Sequence, residues 1–105
     1  MPETWFLIRW PDGTTQNCYS PSLAVKNYLS SGQSYQLTDF LARCRTALTV
    51  ASERVKAKYG YRCWRAMAQL VRIETTATSF SDAPDARVSV EAFAERVDGQ
   101  RDDQN

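Results

Sequence analysis

A run of apolar residues at helical spacing occupies the middle of the chain. Leu37, Phe40, Leu41, Cys44, Leu48, Ala51 and Val55 recur at steps of three, one, three, four, three and four. That spacing lays them along one face of an α-helix, with Arg43, Arg45, Thr46, Glu53 and Lys56 largely off it. Gly60 supplies a stop, because glycine accepts the left-handed conformation that ends many helices. Lys56 and Lys58 in the last turn suit the negative end of the helix dipole. Cys63, Ala66, Met67, Leu70, Ile73, Ala77 and Phe80 repeat the pattern and predict a second helix over 62–78. With so short a connection at Gly60, the two helices are expected to pack as an antiparallel hairpin.

The segment before this hairpin reads as β-structure. Residues 4–10 are rich in aromatic and branched side chains, with Phe6, Ile8 and Trp10 on one face and Trp5, Leu7 and Arg9 on the other. Apolar residues on both faces predict a central strand, or one covered on both sides. Pro11-Asp12-Gly13 is a turn signal, and residues 14–19 return as a more polar second strand. Ser20 as N-cap and Pro21 at the first helical position predict a short helix over 21–29, ended by Ser30-Ser31-Gly32-Gln33-Ser34. Residues 79–86 read as a loop. At 87–93, Val88 and Val90 alternate with Arg87, Ser89 and Glu91, which favours a third strand, while Val90, Phe93 and Val97 also fit a helix. Residues 98–105 contain no apolar side chain and are expected to form a disordered acidic tail. The expected fold is α+β, one domain over 1–97, with Phe6, Ile8 and Trp10 packed against Leu41, Leu48, Met67 and Leu70.

Composition limits the chemistry. The 105 residues contain no histidine, which excludes a Ser-His-Asp triad, a Cys-His dyad and any His-containing zinc site within one chain. Three cysteines, Cys18, Cys44 and Cys63, form no CxxC pair, so free thiols in a reducing cytoplasm are expected rather than a disulfide framework or a metal site. No run approaches the ~20 apolar residues of a membrane span. No phosphate-binding glycine loop or acidic metal loop is present, and neither a cofactor nor a catalytic residue is expected. The net charge of +1 conceals a segregation. Residues 43–72 carry eight Lys and Arg against one acid, Glu53, a balance of +7, whereas residues 73–105 carry three Arg against eight acids, a balance of −5. Internal neutralisation explains this, and so does an acidic partner for the basic segment.

Two clusters are candidate sites. In the first, Cys18, Tyr19, Ser20 and Ser22 gather where a strand enters a helix N-terminus, with Lys26 one turn on. Free N–H groups and the helix dipole there suit a small anionic metabolite, although capping and core packing account for the same residues. Cys18 as a nucleophile lacks a histidine base. In the second cluster, Tyr59, Tyr61, Arg62, Trp64 and Arg65 combine cations with aromatics. Such a corner suits a protein partner, a homo-oligomer interface, or simply a sealed helix junction. Nucleic acid is a poorer fit, because no known recognition motif is present.

Arg9-Trp10-Pro11-Asp12-Gly13, Cys18-Tyr19-Ser20-Pro21-Ser22, Ala51-Ser52-Glu53-Arg54-Val55 and Lys58-Tyr59-Gly60, in this order, resemble a family of small bacterial nitrogen-starvation response proteins. The resemblance spans about residues 1–93. It implies a gene cluster shared with a nitrilase, a radical-SAM protein, an acetyltransferase-like protein and a flavoprotein, linked to nitrile or cyanide assimilation. It assigns no reaction. The expected role is that of a non-catalytic accessory protein binding a partner enzyme or a small anion. The alternatives are an enzyme subunit acting on a nitrile-derived or amine metabolite through the Cys18–Ser22 turn, and a nucleic-acid-binding regulator using residues 43–72.

Overall fold

A computed structural model describes residues 3–96; the expected tail at 98–105 and the domain end at 97 lie outside them. The fold is α+β, a four-stranded antiparallel sheet packed against two helices. Strands β1 (Glu3–Arg9) and β2 (Thr15–Ser20) form the expected hairpin. Gly13, at φ 90°, completes its turn, and Asp12 Oδ1 accepts hydrogen bonds from the Thr14 N–H and hydroxyl.

A short strand, β3 (Ser34–Gln36), leads directly into α1 (Leu37–Tyr59), and α2 (Trp64–Ala77) runs back along α1. An ion pair between Arg45 and Glu74, far from the Gly60 connection, ties the two helices together at 2.7 Å. Strand β4 (Arg87–Arg96) then inserts between β1 and β3, giving the order β2-β1-β4-β3.

Two elements differ from expectation. The sheet has four strands rather than three. Residues 34–36 are too few and too polar to announce a strand, and they become one only by pairing with 87–89 of β4. The predicted helix at 21–29 is a 3-10 turn over Leu23–Asn27, and its N-cap is Ser22 rather than Ser20. Ser22 has the extended backbone of a cap and its Oγ accepts the Ala24 N–H at 3.1 Å. The Ser20 hydroxyl instead donates to the Ser22 carbonyl at 2.7 Å.

The choice between strand and helix at 87–96 is resolved by a β-bulge. Leu7 pairs with Ala92 but Ile8 pairs with Val90, so Glu91 is an extra residue. The bulge shifts the alternation, and Val88, Val90 and Phe93 all join the core side despite the three-residue step from 90 to 93. The same step is what made a helix compatible with the sequence.

The core unites Phe6, Ile8, Trp10, Cys18, Val88 and Val90 of the sheet side with Phe40, Cys44, Leu48 and Ile73 of the helices. Leu41 and Leu70 pack at its margin, but Met67 does not join it. Instead α2 turns Gln69 inward, because this helix lies against the open edge of β2. There the Gln69 Oε1 accepts the Tyr19 N–H at 3.0 Å, satisfying a donor that an edge strand would otherwise leave bare.

Candidate functional site: an aromatic and cationic corner

The first candidate cluster is mostly interior. Cys18, Tyr19, Ser20 and Ser22 are buried. Both serine hydroxyls are engaged with backbone groups, and a five-residue 3-10 turn does not present the stack of free N–H groups that an α-helix would. Burial pushes the Cys18 thiol up to about 12, which keeps it protonated and weakly nucleophilic near neutral pH. The Cys44 thiol is likewise raised by burial. Lys26 is drawn elsewhere, its ammonium 5.6 Å from the centre of the Phe93 ring. The three cysteines are free, and among the described residues no group of three His, Cys, Asp or Glu is placed to hold a metal ion.

One member of this cluster belongs with the second. The Arg65 guanidinium lies 3.8 Å from the centre of the Tyr19 ring, and Tyr19 meets Trp5 edge-on at 5.4 Å. Burial, with the Glu3 carboxylate nearby, holds the Tyr19 phenol protonated well above its usual range. Tyr19 therefore forms one wall of a cavity of about 340 Å³ whose other walls include Tyr59, Tyr61, Arg62, Trp64 and Arg65. Pro21 and Val55 also line it. Tyr59, Tyr61, Arg62, Trp64 and Arg65 line one cavity, and Tyr19, grouped by sequence with the first cluster, joins them through a strand-to-helix contact between positions 46 residues apart.

The corner is built by the turn between α1 and α2. Gly60 adopts φ 85°, and its N–H donates to the Lys56 carbonyl at 2.8 Å. The reversal leaves Tyr59 and Tyr61 stacked at 6.1 Å. Trp64 opens α2 and is 78% exposed, with Tyr61 at 64% and Tyr59 at 45%. Val71, two turns along α2 from Trp64, is also exposed, so the apolar surface continues along the helix.

Cations lie beside these rings: the Lys58 ammonium is 5.5 Å from the centre of the Tyr59 ring, and Arg62 and Arg65 line the cavity. Three of the eight cations in residues 43–72 are neutralised: Arg43 by Asp39, Arg45 by Glu74 and Arg65 by Glu3. Arg54, Lys56, Lys58, Arg62 and Arg72 have no ion-pair partner among the described residues. A second cleft, of about 360 Å³ and lined by Leu37, Leu41, Ala77 and Pro84, holds Arg45 and Glu74, which cancel each other. Among the described residues, only the corner combines exposed rings with cations that have no ion-pair partner.

Sequence reasoning missed a smaller cavity on the other side of Arg65, bordered by Trp5, Gln69 and Arg72. Gln69 was the available signal: it falls between Ala66 and Ile73 on the buried stripe of α2, where an apolar residue is expected.

No helix is long and apolar enough to cross a membrane among the described residues. No curated protein and no solved structure gives a significant match to the chain. A family model does: that of the nitrogen starvation-induced protein NitG covers residues 5–93, which hold most of the β-hairpin, the helical hairpin and its corner, and the chain belongs to that family.

Proposed function

We propose that this nitrogen starvation-induced protein is a non-catalytic cytoplasmic accessory protein that docks an acidic partner protein on the corner formed by Tyr59, Tyr61, Arg62, Trp64 and Arg65. The observation that carries this reading is the exposure of three large aromatic side chains beside Lys58 and Arg62, which have no ion-pair partner among the described residues. Exposed Trp and Tyr, with Arg, are the side chains most enriched at the energetic centres of protein interfaces. A second copy of the chain fits less well, since a two-fold pairing of this surface sets like charges against each other. The resemblance to proteins encoded beside a nitrilase supports a setting in nitrile or cyanide assimilation. The alternative of an enzyme subunit working through the Cys18–Ser22 turn is disfavoured by its buried, protonated thiol and engaged hydroxyls.

Affinity capture from nitrogen-starved cells tests the proposal, using wild type and the Tyr61→Ala/Trp64→Ala double variant. The partner retained by wild type should bind the variant at least tenfold more weakly, about 1.4 kcal/mol, with thermal stability little changed. Arg62→Glu should weaken the same complex, and added salt should weaken it further. Undiminished capture by the double variant would refute the docking surface. Release of the captured material by nuclease would favour the nucleic-acid reading, and a dimer dissolved by Trp64→Ala would favour self-association.

A further inference from the structure

The cavity on the far side of Arg65 has a different chemistry from the corner. It measures about 160 Å³ and is lined by Trp5, Tyr19, Arg65, Ala68, Gln69 and Arg72. Gln69 is only 4% exposed. Its Oε1 is committed to the Tyr19 N–H, which fixes the amide and turns the remaining valence of the side chain into a pure donor. That donor, Nε2, is shielded from bulk water and has no acceptor, and the same is true of the indole Nε1 of Trp5. Buried donors without acceptors are rare and call for a specific partner. Two arginines line the same cavity. Arg65 is shared with Glu3 at 3.8 Å, whereas Arg72 has no ion-pair partner among the described residues. No carboxylate lines the cavity.

We propose that this cavity binds a small carboxylate, held by the Trp5 Nε1–H and the Gln69 side-chain amide and neutralised by Arg72. The three groups offer donors and positive charge and no acceptor, which selects an anion whose atoms accept only. A carboxylate of amino-acid size suits the volume, which equals the liquid share of roughly five water molecules at about 30 Å³ each. The site lies on the opposite side of Arg65 and Tyr19 from the partner surface and shares those two residues with it.

The test uses ¹⁵N-labelled protein titrated with sodium acetate, with sodium chloride at matched ionic strength and acetamide as comparisons. The Trp5 indole N–H and the Gln69 side-chain amide resonances should move saturably with acetate. The Trp10 indole, which already donates to Gln16 Oε1 at 2.9 Å, and the exposed Trp64 indole should stay in place. Trp5→Phe, which removes the N–H and keeps a ring, should abolish the Gln69 response. Arg72→Met, at an exposed position, should weaken acetate binding at least tenfold while leaving the Trp10 resonance and the thermal midpoint unchanged. Absence of a saturable shift would overturn the proposal, and so would equal responses to acetamide or chloride, tighter binding of inorganic phosphate, or full acetate affinity in Arg72→Met.

Discussion

Replacing Gly60 by alanine isolates the cost of the turn that builds the corner. Gly60 has φ 85°, and a Cβ placed there would meet nothing within 4 Å, so steric contact contributes nothing. What remains is backbone conformation. An L-side chain in the left-handed region costs roughly 1–2 kcal/mol. Alanine also has less freedom to lose on folding, which offsets about 0.4–1 kcal/mol of that cost. The net loss should be about 1 kcal/mol, equivalent to a fall of about 4–8 °C in Tm for a domain of this size. Gly60→Asn should fall between alanine and wild type, because a short polar side chain tolerates this conformation better. Urea titrations of the three proteins, compared at equal slope, measure the differences. Wild-type stability in Gly60→Ala would refute the left-handed turn, and a loss above about 3 kcal/mol would refute the open space around it.

Four further outcomes follow from individual side chains. Leu48 is fully buried in the middle of α1, and Leu48→Ala should lower the unfolding free energy by ~2–5 kcal/mol in a urea titration. The buried Ser52 hydroxyl has no partner, so Ser52→Ala should leave Tm unchanged or raise it. Ser22→Ala should cost about 1 kcal/mol through loss of the cap on the Ala24 N–H, measurable as a lower urea midpoint. The Cys18 thiol, raised by burial from 9.0 to about 12, makes stability fall in alkali: the unfolded chain releases this proton above pH 9 while the folded chain keeps it. Stability should therefore be full below about pH 9 and decline steadily towards pH 12, and the slope should be shallower in Cys18→Ala.

Elements whose signal is local and repeated are legible in the residues alone. The stripe from Leu37 to Val55, the stop at Gly60 and the Pro11-Asp12-Gly13 turn all act through neighbours a few residues away, and each matches the structure. The grouping of Tyr59, Tyr61, Arg62, Trp64 and Arg65 was legible for the same reason, since one tight turn holds all five. Features that depend on distant partners arise only in the folded chain. Ser34–Gln36 is a strand only because β4 lies beside it, and the Glu91 bulge exists only because β1 imposes its register. Gln69 is buried because an edge strand needs an acceptor there, a requirement that no property of α2 encodes. Tyr19 joins the corner through its contact with Arg65, and with Trp5 it brings the orphaned donors of Trp5 and Gln69 into one cavity. Periodicity reports which face of an element is apolar; which other element covers that face, and what that contact leaves unsatisfied, is set by the packing of the whole chain.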